Sequence, residues 1–448
     1  MIPPKPAARS GRVGPVRYLR LLRRDILSAQ PERLYRAKMA DYRLPGLFRS
    51  VLVNDPTLID EVLRQRPMEF PKSDRVGRGL RPLLGRSVFL TNGAEWQRQR
   101  RIVDPAFEGG RLRDAFPSML AAARAGAERL SPGVHEIERA ASHAAADVIF
   151  RALFSVPIED EDAAATFGAL QTYQRSGAVM RARHWAPLPT WMLPGPSRSV
   201  RAAGAEVRRL IERMIARRMV EIEAGTAPDD LATKIMTQPD PETGERFTAA
   251  EMIDQVAIFF LAGHETSAAA LSWALWCLAA APDWQDRAAE EALAWPEEPR
   301  FADLSKLPVI RDVFRETLRL YPPVPMMMRV TTRAETFRGR ALRPGTQVVL
   351  SPWHLGRHET HWGQPDSFDP ARWSTPEGRE AAKSAFLPFS AGTRVCTGAA
   401  FAMAEGVALL AEMLRLWRFE PAGAPPVPVA HLTVRSADGI HLRLSARV

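Results

Sequence analysis

The sequence predicts a mainly α (α+β) protein in which helices come first and small sheets second. Helical patterns dominate from residue 94 to about residue 300, and one uninterrupted apolar pattern begins at Thr248. Short alternating segments with turn residues follow residue 320. Hydrophobic residues make up 46% of the chain and charged residues 25%, as in ordinary globular proteins. A chain of 448 residues can bury a large core.

The first 40 residues carry most of the positive charge of the chain. They contain ten basic and two acidic side chains, whereas the whole chain has a formal net charge of +10. Such a segment can indicate an anionic membrane surface, nucleic acid or organellar targeting. No aromatic–basic interleaving or nucleic-acid motif follows it, so we favour a solvated basic helix and expect no nucleic-acid partner. We therefore divide the chain into a basic N-terminal arm and first helix (1–40) and a main domain (41–448).

The location of the protein is predicted from its apolar runs and its cysteines. The longest strongly apolar run, VAIFFLAG at 256–263, is far shorter than the roughly 20 residues of a spanning helix. The N-terminus has no apolar signal core, and two cysteines cannot build a disulfide framework. We expect a cytoplasmic protein with no transmembrane anchor.

The first clear elements precede the helical region. FRSVLVNDP at 48–56 predicts a strand, and TLIDEVLRQ after it predicts a helix. A proline-rich apolar segment, WAPLPTWMLPGPS at 185–197, interrupts the helices. Its length and apolar character favour a lid over an apolar site.

The clearest helix is predicted from Thr248 to the residues before Pro282. TAAE forms a capping box with Glu251, and Phe247 and Met252 suit a hydrophobic staple. About 30 residues would span about 45 Å, enough to cross a large domain. The helix is apolar nearly all round, so we expect it to be buried.

Short strands are predicted for the last third of the chain. RVTTRAETFRGRALRPGTQVVLSP alternates and contains a Pro–Gly turn at 344–345. HLTVRSADGIHLRL predicts a final hairpin.

The segment AGHETS places polar groups within the buried helix. Gly263 costs roughly 1 kcal/mol there relative to alanine, and a buried carboxylate such as Glu265 is expensive unless it is paired or functional. One interpretation is a kink with Glu265 bound to a buried arginine. The other is a groove where Glu265 and Thr266 pass protons to a bound group, with Ala262 on the same face as Thr266.

Two further segments contain possible ion-pair partners. Glu316 and Arg319 in ETLR are three residues apart on a predicted helix, and a weak surface pair is the default interpretation. Arg372 in FDPARW could complete an Arg–Glu–Arg cluster that holds the helix against a loop.

The segment FSAGTRVCTG, residues 389–398, surrounds one of only two cysteines with small residues. A buried cysteine is often an apolar filler. The alternative is a thiolate ligand, which the N-terminus of the following helix would stabilise, with Arg394 placed to meet an anion. An axial thiolate on heme iron requires such surroundings.

Taken in order, WQRQR, AGHETS, ETLR, FDPARW and FSAGTRVCTG resemble the cytochrome P450 superfamily, in its bacterial-type soluble heme-thiolate form. The resemblance spans about residues 45–445. It implies one large helical domain with small antiparallel β-sheets, and heme b (iron protoporphyrin IX) between the long helix and the cysteine loop.

The resemblance also assigns roles to individual residues. Cys396 would be the metal ligand, and Glu265 and Thr266 would be the catalytic pair that handles protons. The residues expected to bind the cofactor are Trp96, Arg100, Ala262, Gly263, Arg329, Phe389, Arg394, Cys396 and Gly398. Ser390 and Ala371 stand where the family often has glycine and glutamate, respectively.

The implied reaction inserts one oxygen atom of O2 into an apolar organic substrate. Electrons would come from a separate ferredoxin and ferredoxin reductase, with Arg98, Arg101 and Lys383 in a basic docking face. Two alternatives stay open: a peroxide-driven heme-thiolate oxygenase and a non-catalytic heme-binding sensor.

Overall fold

The fold is described from a computed structural model, which covers residues 1–11, 13–44, 48–176, 195–430 and 432–447. The segment predicted as a lid, 185–197, lies outside the described residues except for its last three positions. No helix in the described ranges combines the length and the apolar character that crossing a membrane requires.

Helices form most of the described chain, as the sequence predicts. We number them α1 to α15, in the order Pro15–Arg24, Pro56–Asp60, Asp74–Leu84, Gly93–Val103, Gly109–Glu128, Ile137–Phe154, Glu161–Arg175, Arg198–Glu223, Leu231–Thr237, Ala249–Ala279, Pro282–Ala294, Pro308–Leu320, Pro352–Gly356, Pro376–Ala385 and Ala399–Leu416.

The strands are short and lie in small sheets. They are numbered β1 to β11, in the order Met39–Leu44, Phe48–Val53, Gly133–Glu136, Met327–Val330, Glu335–Phe337, Arg340–Leu342, Gln347–Leu350, Trp417–Pro421, Pro428–Ala430, Val434–Ser436 and His441–Ala446. One sheet has the order β1-β2-β7-β4, in which only β2 and β7 pair in parallel. The many helices together with these small sheets confirm the predicted mainly α (α+β) class.

The central helix α10 confirms the prediction made from its capping box. The Thr248 side chain accepts a hydrogen bond from the Glu251 backbone N–H, and the Glu251 carboxylate accepts one from the Thr248 backbone N–H. Both ends of the helical run are therefore set by local sequence, since Pro282 opens the next helix. Helix α10 packs along α6 and also contacts α15.

The predicted C-terminal hairpin is wrong. Strand β10 pairs with β9, whereas β11 lies between β3 and β8 in a different sheet. The alternation in β11 buries Leu442 and Leu444 beside the buried Phe419 of β8. This burial determines the pairing of β11 more strongly than the turn at 437–440 does.

The basic N-terminal segment packs on the rest of the molecule. Leu22 at the end of α1, Ile26 and Leu34 are buried in the same core as the central helix. Exposed arginines, including Arg17 and Arg20, lie on the outer side of α1.

The ion pair expected at the surface lies in the core instead. Glu316 and Arg319 of α12 have fully buried side chains with a 2.8 Å contact, and Arg372 approaches Glu316 at 3.2 Å. The Arg–Glu–Arg cluster predicted as the alternative is therefore present. Since a buried charge is stable only when it is paired, all three groups must fold together.

Arg319 uses all five of its N–H donors. Two contact Glu316, and the others reach the carbonyl oxygens of Gly356, Pro365 and Ser367 at 2.5, 2.6 and 2.9 Å. The guanidinium thereby fixes an irregular segment of chain against α12.

Candidate functional site

The cysteine loop folds back on itself just before helix α15. The backbone N–H of Cys396 donates a 2.8 Å hydrogen bond to the carbonyl of Phe389, which closes the loop. Gly392 has φ +66°, and a Cβ there would collide with the carbonyl of Leu63. Gly398 caps α15 and has open space where a Cβ would lie. Glycine is therefore required at 392 by backbone geometry, and at 398 it leaves the approach to Cys396 uncrowded.

Ser390 stands where the family often has glycine, and its conformation explains that preference. Its φ is +63°, in the left-handed region that non-glycine residues rarely adopt. Its hydroxyl is buried and has no hydrogen-bond partner among the described residues. The serine therefore occupies a strained position in this loop.

Cys396 keeps solvent-accessible surface, although protein surrounds most of its thiol. This burial raises the pKa of its thiol, while the Gly398 N–H and the Arg100 charge lower it. The net direction is upward, so the helix N-terminus alone does not produce the thiolate that the sequence suggests. Metal coordination deprotonates a thiol, and it would have to supply that stabilisation.

Helix α4 holds the loop in place. Arg100 donates 2.8 Å hydrogen bonds to the carbonyl of Val395 and to the carboxylate of Asp104. Thr397 donates to the other oxygen of Asp104. The residues on both sides of Cys396 are therefore fixed to α4 and to Asp104, the residue that follows it.

Four cationic side chains converge around Trp96, which is buried in α4. Arg394 lies 4.3 Å from the indole centroid, Lys72 5.7 Å and Arg100 5.9 Å. Arg329 belongs to the same cluster, because its charge helps to lower the pKa of Lys72 and the charge of Arg394 helps to lower its own pKa. The side chain of Asn92 accepts hydrogen bonds from the Lys72 backbone and from Arg394.

Three of the four charges in this cationic cluster are not balanced by acids among the described residues, whereas Arg100 pairs with Asp104. Lys72, Arg329 and Arg394 form no ion pair with any described carboxylate, and the Nε atoms of both arginines are buried without a partner. Burial, assisted by a neighbouring arginine charge, lowers the pKa of Arg329 and of Arg394 to about 10. Burial and the same arginines also lower the pKa of Lys72 well below its usual value. Such a cluster fits an anionic ligand, and the two carboxylates of heme meet that requirement.

One face of helix α10 is accessible although the helix is otherwise buried. Ala262 is exposed, and Phe259, Gly263 and Thr266 are half-buried. The spacing places these positions on a single stripe. The Thr266 hydroxyl donates a 2.6 Å hydrogen bond to the Ala262 carbonyl. A bound group beside this stripe would therefore meet small side chains and one hydroxyl.

The close packing of two helices explains Gly263 locally. A Cβ at this position would collide with the Ile149 side chain of α6. Glycine thus allows α6 and α10 to approach closely, which offsets its cost within a helix.

Glu265 faces away from that stripe and is held by two hydrogen bonds and one ion pair. Thr433 donates at 2.7 Å and Arg435 lies 3.2 Å away, both at Oε1. Gln174 donates to Oε2 at 3.1 Å. The structural interpretation of AGHETS expected a buried arginine, but the arginine that pairs with Glu265 is Arg435, whose side chain is 45% exposed. No sequence pattern indicates this partner, because 170 residues separate Glu265 from Arg435.

Sequence reasoning also missed Lys72. No motif marks it, and only the fold places it near Trp96 and Arg394. The only sign of Lys72 in the sequence was its position as a basic residue shortly before helix α3.

The three basic residues predicted to dock a ferredoxin each have an acidic partner within the chain. Arg98 pairs with Glu251 and Arg101 with Asp240, at 2.7 and 2.6 Å. Lys383 contacts Glu380 at 2.7 Å. These charges are therefore already partly neutralised, which weakens their assignment to a docking face.

Comparison with known proteins identifies the family. The family model described as Cytochrome P450 matches residues 45–441. Cyclooctat-9-en-7-ol 5-monooxygenase of Streptomyces melanosporofaciens is 31% identical over 84% of this chain and 81% of its own length. Cyclooctatin synthase of the same organism is also 31% identical, over 82% and 80% of the two chains. Taurochenodeoxycholic 6 alpha-hydroxylase of Sus scrofa is 29% identical over 89% and 82%.

The match covers most of the chain, including the cysteine loop, helix α10 and the cationic cluster. The chain therefore belongs to the cytochrome P450 family and is a heme-thiolate monooxygenase.

Proposed function

We propose that Cys396 would supply the thiolate that binds the iron of a heme b, and that the cationic cluster would hold the carboxylates of this heme. The observation that carries this assignment is the pairing of an accessible thiol with an adjacent cationic cluster in which Lys72, Arg329 and Arg394 have no acidic partner among the described residues. The residues that would contact the cofactor are Trp96, Arg100, Ala262, Gly263, Arg329, Phe389, Arg394 and Gly398, with Lys72 added by the structure.

When bound, the heme supplies the chemistry that activates O2 for insertion of one oxygen atom into an organic substrate. The protein residues orient the substrate and move protons. The hydroxyl of Thr266 is within the accessible stripe of α10, and the carboxylate of Glu265 is one residue away. Together they would carry protons from solvent toward the reacting oxygen.

The substrate and the partners are inferred from the surfaces around the site. Phe259 and Ala262 give the accessible stripe an apolar character, which suits an apolar substrate. Val395 is exposed within the cysteine loop and accepts a hydrogen bond from Arg100, and we place the approach of an electron donor at this point. We propose a ferredoxin, reduced by its reductase, as that donor. Two free cysteines are compatible with the cytoplasm as the location.

The decisive experiment measures the reduced-CO absorption spectrum of the purified protein. Cys396→Ser should abolish the thiolate-type band, whereas Cys277→Ala, which changes the other, buried cysteine, should retain it. A retained band in the Cys396 variant would refute the assignment of the ligand.

Turnover experiments separate the possible activities. With a plant-type ferredoxin, its reductase and NADPH, Thr266→Ala should keep heme but divert electrons to peroxide. Unchanged coupling would contradict the role of Thr266. Peroxide-driven turnover equal to ferredoxin-driven turnover would favour the peroxide-driven alternative. Binding of many apolar compounds without any oxygenated product would favour a sensor.

A further inference from the structure

The carboxylate of Asp104 joins the two sides of the cysteine loop. It accepts a hydrogen bond from Arg100 at 2.8 Å and another from the hydroxyl of Thr397. Arg100 also donates to the carbonyl of Val395 at 2.8 Å. One acid therefore connects, directly or through Arg100, the residue before Cys396 and the residue after it.

Asp104 also determines how Arg100 presents its charge. The Nε of Arg100 binds Asp104 and Nη1 binds the Val395 carbonyl, whereas Nη2 donates to no described residue. Nη2 is therefore left for the anionic ligand that the cationic cluster fits. Arg100 is the one member of that cluster with an acidic partner among the described residues, and its charge also acts on the thiol of Cys396. The negative charge of Asp104 thus offsets a positive charge that acts on the sulfur.

Thr397 carries the effect of this contact to the backbone beside the sulfur. Its carbonyl group and the N–H of Gly398 belong to one peptide bond, which is planar and rigid. The Gly398 N–H faces the Cys396 thiol. Holding the side chain of Thr397 therefore keeps this N–H directed at the sulfur. An N–H donor withdraws electron density from an axial thiolate, and hydrogen bonds of this kind tune the heme iron.

The fold fixes the position of Asp104 on both sides. Its backbone N–H binds the carbonyl of Arg100 and closes helix α4. Pro105 follows in a short 3₁₀ helix that ends at Phe107, whose ring packs on Phe259 of α10 with the ring centroids 5.6 Å apart. The Asp104 side chain is 37% exposed and that of Arg100 is 16% exposed. The carboxylate is therefore firmly placed but partly hydrated, so its electrostatic effect on the sulfur is moderate.

We propose that Asp104 is a positioning residue for the Cys396 thiolate. Through Thr397 it keeps the Gly398 N–H directed at the sulfur, and through its charge it limits the positive field of Arg100 there. The two effects act on the heme in opposite directions, because the N–H donor favours the reduced iron and the carboxylate charge favours the oxidised iron. This inference rests on the proposed role of Cys396 as the iron ligand.

The test measures the reduction potential of the heme-loaded, substrate-free protein by dye-mediated titration. Asp104→Asn keeps the shape of the side chain but removes its charge. It should favour the reduced iron about fivefold, which corresponds to a rise of about 40 mV for one electron. Asp104→Glu keeps the charge and should stay close to the unchanged protein. Glu108→Gln removes the same charge from an exposed side chain that has no ion pair among the described residues, and it should leave the potential unchanged.

Thr397→Val tests the contact separately, because it removes the hydroxyl and leaves every charge in place. The reduced iron should become about twofold less favoured, a fall in potential of about 18 mV. The iron–sulfur stretching frequency in the resonance Raman spectrum of the oxidised protein should rise, because the sulfur loses a hydrogen bond and binds the iron more strongly. Thr397→Ser keeps a hydroxyl and should restore both values.

The outcomes separate this inference from the proposed function. Equal potentials for Asp104→Asn and Glu108→Gln would show that the charge does not act on the heme, and an unchanged iron–sulfur frequency in Thr397→Val would show that the contact does not direct the N–H. Either result overturns the inference. The two Thr397 variants decide the question if Asp104→Asn does not retain heme. A missing thiolate-type CO band in the unchanged protein would instead refute the proposed ligand, and this inference with it.

Discussion

Glu405 is a buried acid whose protonation should make the stability of this protein depend on pH. It lies on α15, and its Oε2 accepts a 2.6 Å hydrogen bond from Ser267 of α10. Its Oε1 is buried and has no partner among the described residues. Burial raises the pKa of Glu405 to about 8, and the Ser267 hydrogen bond opposes that shift only in part. The carboxyl group is therefore protonated in the folded protein at neutral pH.

The sign and size of the effect follow from linkage. Between the usual pKa of 4.5 and about 8, the folded chain holds a proton at Glu405 that the unfolded chain has released. The free energy of unfolding then falls as pH rises, by about 1.4 kcal/mol for each pH unit. From pH 5.5 to 7.5 this single group removes about 2–3 kcal/mol. For a chain of 448 residues, that loss lowers the melting temperature by about 3 °C.

Glu405→Gln isolates this contribution, because glutamine keeps the shape of the protonated acid and cannot ionise. We expect the melting temperature of the variant, followed by circular dichroism from pH 5.5 to 8.5, to fall less steeply than that of the unchanged protein. The two profiles should diverge by about 3 °C over two pH units. Glu380→Gln, at an exposed position, serves as the control. Parallel profiles for Glu405→Gln and the unchanged protein would refute the raised pKa.

Four further changes test other parts of the structure. Glu316→Gln leaves two buried guanidinium groups without a counter-charge and should cost about 3–5 kcal/mol in urea unfolding; a loss below 1 kcal/mol would contradict the buried cluster. Gly392→Ala should lower the melting temperature and the retention of heme, because its φ is +66° and a Cβ would meet backbone, whereas Gly110→Ala, which has open space, should change neither. Ser390→Gly should raise the free energy of unfolding in urea by about 1 kcal/mol, because it relieves the left-handed conformation of the serine. A destabilised variant would show that this strain is absent. Lys72→Met should keep the fold but speed the transfer of heme to apomyoglobin roughly tenfold, the loss of one charge-assisted hydrogen bond; an unchanged rate would remove Lys72 from the cationic cluster.

Much of the fold was predictable, because local sequence determines it. The capping box at Thr248 and the proline at 282 set both limits of α10, so its length followed from the sequence. The turn at Gly345, which has φ +80°, likewise predicted the strands on either side of it. The pairing of β11 was not predictable in this way, since it depends on which core surface Leu442 and Leu444 cover.

The residues of the candidate site differ in the same way, since some are predictable from local sequence and others depend on contacts between distant parts of the chain. Cys396 and Thr266 belong to short motifs whose chemistry is visible in a few adjacent residues. Lys72 and Arg435 act through contacts between distant parts of the chain, and a lone basic residue has no pattern to reveal it. The burial of the Glu316–Arg319 pair was also hidden, because the same spacing occurs on many helix surfaces.

The hydrogen bonds that the Arg319 guanidinium donates have a consequence for local motion. The segment from Gly356 to Ser367 has little regular structure, and segments of this kind usually exchange their amide hydrogens quickly. Three of its carbonyl groups are bound by one side chain whose charge is locked in the core, so freeing any part of the segment means unpairing that charge. Deuterium should therefore enter this irregular stretch about as slowly as it enters the neighbouring helix, and the two should open as one cooperative unit.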